Sequence, residues 1–169
     1  MNTKFLSDKA ISIIDQYKNF KLGNAVCSIP YYNNRHSGGR AKLRVENGKG
    51  SPKEIFEEIE QIIMKEKISI KDITSEELKK ILVMHNIGID CSGYAYYILN
   101  AESISLGKGS LDKHLSFPFS KGIIGKIRSM MRPIENTNVE TFASKENSRP
   151  IEIKDVKVGD IITMQRNSG

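Results

Sequence analysis

The chain has no tryptophan and, among its 169 residues, only two cysteines and three histidines. Cys27 and Cys91 stand far apart without any Cys-x-x-Cys spacing, which excludes a disulfide framework and a zinc site of the usual spacing. Each cysteine has to be read alone. No stretch approaches the roughly 18 to 20 apolar residues that a membrane span requires. The first twenty residues, "MNTKFLSDKAISIIDQYKNF", alternate charge with apolar residues and lack an unbroken apolar run or a small-residue cleavage site, so no secretory signal is predicted. A cytoplasmic location is the default expectation. The phosphate-loop spacing Gly-x-x-x-x-Gly-Lys-Ser/Thr is also missing, and "GKGSP" at Gly48 to Pro52 reads as a turn and a helix cap. Glu57, Glu58 and Glu60 form a solvated helix face, and no paired acids suggest glycosidase chemistry. No metal or cofactor is expected.

What is present describes a globular chain. Apolar residues make up 38% and charged residues 27%, with no long biased run, which separates it from disordered sequences. The length suits one ordinary domain. Lys and Arg total 26 against 20 Asp and Glu, a net charge of +6 that favours anionic partners. The basic residues are spread out, however, and the densest patch (Lys121, Lys126, Arg128, Arg132) lacks the aromatic interleaving of a nucleic-acid platform. It reads as a solvated basic surface, with no specific nucleic-acid binding expected.

Leu6, Ala10, Ile13, Ile14 and Tyr17 repeat at helical spacing and predict a helix over 7–19. A loop follows over 27–42, and Leu43 and Val45 suggest a short strand ending in a turn at Asn47-Gly48. Two helix starts are explicit. Ser51, Pro52 and Glu54 supply an N-cap, a first-turn proline and a capping-box partner, and Thr74 with Glu77 repeats the pattern. The second helix should stop near Asn86-Ile87-Gly88. The region 103–150 reads as mostly irregular, with one short helix around 122–131, and strands are expected at Ile151 to Ile153 and over 161–164.

The chemistry concentrates in "GIDCSGYAYYIL", Gly88 to Leu99. Cys91, Tyr94, Ala95, Ile98 and Leu99 make an apolar helical stripe expected to face a core, with Asp90 as N-cap. Cys91 then stands in the first turn, where unpaired N–H groups and the helix dipole stabilise a thiolate. Gly93, a poor helix former, is read as leaving room beside the sulfur. The competing reading makes Cys91 a small apolar residue within the stripe.

The run Asp90-Cys91-Ser92-Gly93-Tyr94, opening a helix, resembles the nucleophile motif Asp-Cys-Ser-Gly-aromatic of the NlpC-type papain-like cysteine peptidases, which cut peptide stems of bacterial cell wall. "IPYYNN" followed by Gly38-Gly39 is similar to that family's Pro-Tyr element, with Tyr31, or next to it Tyr32, at the matching position. "IKDVKVGDIITM" resembles the segment in which a Gly-Asp turn, here Gly159-Asp160, launches a central strand. The resemblance implies an α+β papain-like fold, a single domain over 1–169 with a helical insertion at about 48–86, whose antiparallel sheet lacks its C-terminal strands. It implies a cysteine hydrolase cleaving an amide bond in a peptide or a peptidoglycan-like stem. Cys91 would be the nucleophile and Tyr31 an oxyanion or substrate contact, supported by Asp90, Ser92, Gly93, Gly159 and Asp160, with no cofactor. The family's general-base histidine follows the Gly-Asp strand and is expected beyond Gly169, so the chain is read as a truncated and inactive form. His36, His85 and His114 read as surface or loop residues, His114 being the least implausible base by chain position. The alternative is a papain-like scaffold that binds an anionic polymer without cutting it, with Cys91 buried and inert. A basic nucleic-acid-binding domain is a weaker rival.

Overall fold

A computed structural model describes residues 5–33 and 44–164. Its helices are α1 (Asp8–Lys18), α2 (Pro52–Glu66), α3 (Ser75–Met84), α4 (Cys91–Ser105), α5 (Gly122–Met131), α6 (Pro133–Asn136) and α7 (Val139–Ala143). Strands β1 (Phe20–Leu22) and β2 (Ala25–Cys27) pair antiparallel, with Phe20 opposite Cys27 and Leu22 opposite Ala25. The fold is therefore α+β, dominated by helix. The chain packs as two compact units, one of residues 12–94 and one of residues 1–11 with 95–169.

In the unit of residues 12–94, helix boundaries follow from local chemistry. Ser51 caps α2 by accepting from the Glu54 N–H, while the Glu54 carboxylate accepts from the Ser51 N–H. Pro52 occupies the first turn, where its missing donor costs nothing. Thr74 and Glu77 cap α3 in the same way. That helix ends on Asn86, at φ +56°, with the Ile87 N–H returning to the Leu82 carbonyl. A left-handed residue there satisfies carbonyls that the helix cannot.

Ile55, Ile59 and Ile63 line the buried face of α2, and Leu78, Ile81 and Leu82 that of α3, which packs on β2. Each such side chain removed from water contributes about 2 kcal/mol. The hairpin adds Phe20, Leu22, Ala25 and Cys27 to this core. Burial raises the Cys27 thiol above its ordinary range, with the Lys79 ammonium opposing the shift.

The other unit has a thinner core. Tyr96, Ile134 and Phe142 are buried together, and Leu99, Leu111, Leu115 and Ile161 pack against them while partly exposed. Local hydrogen bonds hold the short helices. Thr137 donates to the Pro133 carbonyl, and Asn138 and Thr141 form a capping box. The Ser7 N–H donates to Glu102 at 2.8 Å.

Several expectations are corrected. Val45 lies in a 3-10 turn, Val45–Asn47, rather than a strand, although the turn at Asn47-Gly48 forms, with Gly48 at φ +71°. Leu43 lies outside the described residues. The hairpin of residues 20–27 was not anticipated, although Gly23-Asn24 between alternating buried and exposed residues is a two-residue turn signal. Within the stretch expected to be irregular, Pro133–Asn136 and Val139–Ala143 are helical. Ile153 falls in a 3-10 turn, and residues 161–164 pair with no strand among the described residues. A β-branched run becomes a strand only where a neighbour satisfies its backbone, and none is supplied there. The two-stranded sheet thus lies near the N-terminus, not near the C-terminus as expected.

The α3 cap makes a pH prediction. Hydrogen bonds from the Thr74 N–H and hydroxyl favour the charged form of Glu77 and hold its carboxyl below the ordinary value. A depressed carboxyl stabilises the fold above its unfolded pKa, and that contribution is lost as pH falls through the folded value. Glu77→Gln should therefore lower the urea midpoint at pH 7 and leave it close to that of the parent protein at pH 2.5. An equal loss at both pH values would refute the charged-cap assignment.

Candidate functional site

The start of α4 is built from three chain segments drawn together around Ile89. This residue bridges Tyr31 in parallel on one side and Lys49 in antiparallel on the other. The Ile89 N–H donates to the Pro30 carbonyl at 3.0 Å, the Tyr32 N–H to the Ile89 carbonyl at 3.2 Å, and the Asp90 N–H to the Gly48 carbonyl at 2.9 Å. The Pro-Tyr segment thus lies two residues from Cys91 in register, despite the two helices between them in sequence.

Asp90 is the anchor. Its carbonyl accepts from the Tyr94 N–H at 2.9 Å, and its side chain accepts from the Gly93 N–H at 2.6 Å, as an N-cap does. The same carboxylate oxygen accepts from the Lys49 ammonium at 2.9 Å and the Ser92 hydroxyl at 3.0 Å. Lys49 also donates to the Ser92 hydroxyl oxygen at 2.6 Å. All three side chains are buried: Lys49 is 6% exposed, Asp90 8% and Ser92 7%. Sequence reasoning did not find Lys49. Its only signal was a basic residue after a Gly turn, within the stretch read as a turn and a helix cap.

This network decides which way the helix faces. Ser92 and Gly93 are buried, and Cys91 is exposed. The expected inward stripe of Cys91, Tyr94, Ala95, Ile98 and Leu99 is corrected at its first position: Cys91 leaves it, while the other four are partly buried, with Ala95 and Leu99 packed against Tyr96, Ile134 and Phe142. At position 91 hydrophobic periodicity was the wrong guide, because the polar contacts of Asp90, Ser92 and Gly93 set the first turn of α4. Gly93 has a different role from the one expected. A Cβ there would stand 2.8 Å from the Gly48 carbonyl oxygen and 2.9 Å from Ile89 Cδ1, so the missing side chain admits the 48–49 turn, not a group beside the sulfur.

Tyr94 packs edge-on against Tyr17, with ring centroids 5.3 Å apart, and the Tyr17 hydroxyl donates to the Gly50 carbonyl at 2.8 Å. Burial raises the Tyr94 phenol above its ordinary value. Tyr31 is 67% exposed and accepts from the Asn33 amide at 3.4 Å.

The remaining expected positions lie elsewhere. Gly159 and Asp160 belong to the unit of residues 95–169, where the Asp160 carboxylate closes a turn by accepting from the Lys157 N–H at 2.6 Å. The His85 ring pairs with Glu66 at 2.9 Å, and the His114 ring meets the Lys108 carbonyl at 2.7 Å. His36, Gly38 and Gly39 lie outside the described residues. No cluster of three metal-ligating side chains occurs among the described residues.

The chemical capacity of the site follows from what is already engaged. The Asp90 carboxylate oxygen takes three donors and the Ser92 hydroxyl both donates and accepts, so both are held in the anchor. Cys91 is the nucleophilic side chain left open to solvent.

Two outcomes test this arrangement. Lys49→Met strands a buried carboxylate and should cost about 3 kcal/mol in denaturant unfolding, against less than 1 kcal/mol for an exposed ion pair. A loss below 1 kcal/mol would mean that Lys49 does not anchor the helix. In the folded protein an aromatic disulfide reagent should titrate one thiol rapidly, a phase that Cys91→Ser removes, while Cys27 reacts only after unfolding. Rapid reaction of both thiols would overturn the assignment of Cys27 to the core. Comparison of the chain with protein-family profiles, with curated proteins and with solved structures gave no match.

Proposed function

We propose that this chain carries the nucleophile of a papain-like cysteine hydrolase of the NlpC type that cleaves an amide bond in a peptide. One observation carries the reading: at the first turn of α4, within the run Asp90-Cys91-Ser92-Gly93-Tyr94, a buried polar anchor holds Asp90, Ser92 and Gly93 inward and leaves the cysteine exposed. Asp90 and Gly93 serve the anchor, Tyr94 serves the core, and Cys91 serves neither. A structural cysteine would sit inside, as Cys27 does.

In the proposed reaction, a histidine base takes the Cys91 thiol proton and Sγ attacks the amide carbonyl carbon. In the family that base follows the Gly-Asp segment in chain order. The oxyanion is met by the Cys91 N–H and by Tyr31 or its neighbour. Collapse breaks the C–N bond, the leaving amine takes the proton from the histidine, and water hydrolyses the thioester to release the acid and restore the thiol. Tyr31 qualifies as a contact because it is solvent-exposed on the segment bridged to Ile89. The resemblance suggests peptidoglycan stem peptides as substrate. The rival reading, a scaffold with an inert buried cysteine, is disfavoured by the exposure of Cys91.

A peptidyl acyloxymethyl ketone carrying a stem-peptide sequence provides the test. It should form a thioether with Cys91 at least about tenfold faster than with glutathione, read by intact mass, and Cys91→Ser should abolish the adduct. A rate equal to that of glutathione would sink the hydrolase reading.

A further inference from the structure

Helix α5 has an inverted pattern. Ser129 is its buried residue, 1% exposed and donating to the Lys126 carbonyl, whereas Ile123, Ile124, Ile127, Met130 and Met131 are 53 to 84% exposed. At 3.6 residues per turn these five apolar side chains fall within a sector of about 120°, with Lys126 and Arg128 each about 40° beyond one edge and Ser129 on the opposite face. The helix therefore turns its small polar side to the protein and its large apolar side to solvent.

Charge accompanies this face. Between Asp112 and Glu135 the sequence carries Lys113, Lys121, Lys126, Arg128 and Arg132 and no acidic residue. Arg132 pairs with Glu135 at 3.0 Å, while Lys121, Lys126 and Arg128 have no ion-pair partner among the described residues. Folding uses neither the apolar sector nor these cations.

We propose that α5 docks in the plane of an anionic lipid bilayer, with its Ile and Met side chains in the headgroup–acyl boundary and Lys121, Lys126 and Arg128 at the phosphates. Apolar residues flanked on both sides by cations match that boundary, which is apolar on one side and negatively charged on the other. A second protein would need an acidic rim around an apolar groove, and nucleic acid offers no apolar layer for five aliphatic side chains. Such docking is peripheral, since no helix among the described residues is long and apolar enough to cross a membrane. It is independent of the hydrolase reading and uses no residue of the α4 site.

Because the chain contains no tryptophan, Ile124→Trp places a single reporter on this face. Vesicles of phosphatidylglycerol and phosphatidylcholine mixed equally should blue-shift its emission and co-sediment the protein, and pure phosphatidylcholine vesicles should do neither. Ile123→Ser with Ile127→Ser in the Ile124→Trp protein should weaken binding by about tenfold or more, as should Lys126→Glu with Arg128→Glu. All the substituted side chains are exposed, so the circular dichroism and melting curve of each variant should match the parent. Equal binding to both vesicle types, vesicle binding unaffected by the Ile pair, or a vesicle-independent dimer dissolved by it would each overturn the proposal. Binding that depends on anionic lipid, on the Ile pair and on the cation pair together would establish it.

Discussion

The Lys49–Asp90 ion pair is the constraint on which the start of α4 depends. Removing an ammonium and a carboxylate from water costs several kcal/mol per ion, and attraction between them repays this only when the remaining hydrogen-bonding capacity is well used. Here one carboxylate oxygen receives the ammonium, a hydroxyl and a helix N–H. The carboxylate also caps the N-terminus of α4 through the Gly93 N–H, a contact made independently of Lys49. One buried group thus ties the 48–49 turn to the first turn of the helix. Gly48 at φ +71° sets the direction of that turn, and Gly93 admits its carbonyl.

The exposure of Cys91 is a consequence of this geometry. Once Ser92 must reach Lys49 and the Gly93 N–H must reach Asp90, both are fixed inward, and the 100° step of a helix places position 91 outside. The Tyr17–Tyr94 contact fixes the same rotation from the following residue. An apolar stripe pulling Cys91 inward would conflict with three polar contacts that cannot be left buried and unmade. The short motif therefore divides its work: Asp90, Ser92 and Gly93 hold the helix, and Cys91 is held.

Whether a feature is legible in the sequence depends on the range of the interaction behind it. The starts of α2 and α3 are legible because Ser51 with Glu54 and Thr74 with Glu77 settle them within four residues, as Asp90 does for α4. The hairpin was equally local and was signalled by Gly23-Asn24. The Lys49–Asp90 pair, by contrast, joins residues 41 positions apart, and a lysine beside a glycine turn looks the same whether it is solvated or buried. The pairing of Tyr31 with Ile89 is of this kind as well; the sequence offers two plausible segments but no register. At Ile161 the opposite error arises, because β-branched composition suggests a strand and composition carries no information about a partner.

The two units also differ in what their apolar residues do. In residues 12–94, Ile55, Ile59, Ile63, Leu78 and Leu82 are almost fully buried, and the core is dense enough to absorb a buried charge pair. In residues 95–164 the buried apolar centre is Tyr96, Ile134 and Phe142, and much of the order comes from contacts within a few residues, such as Arg132 with Glu135 and Asn138 with Thr141. Local hydrogen bonds fix helices without drawing distant apolar groups inward. That is why α5 can form with Ser129 as its inward residue and still hold a continuous aliphatic face outward. Helix formation there does not consume the apolar surface, so its free energy of transfer stays available to whatever medium the face meets.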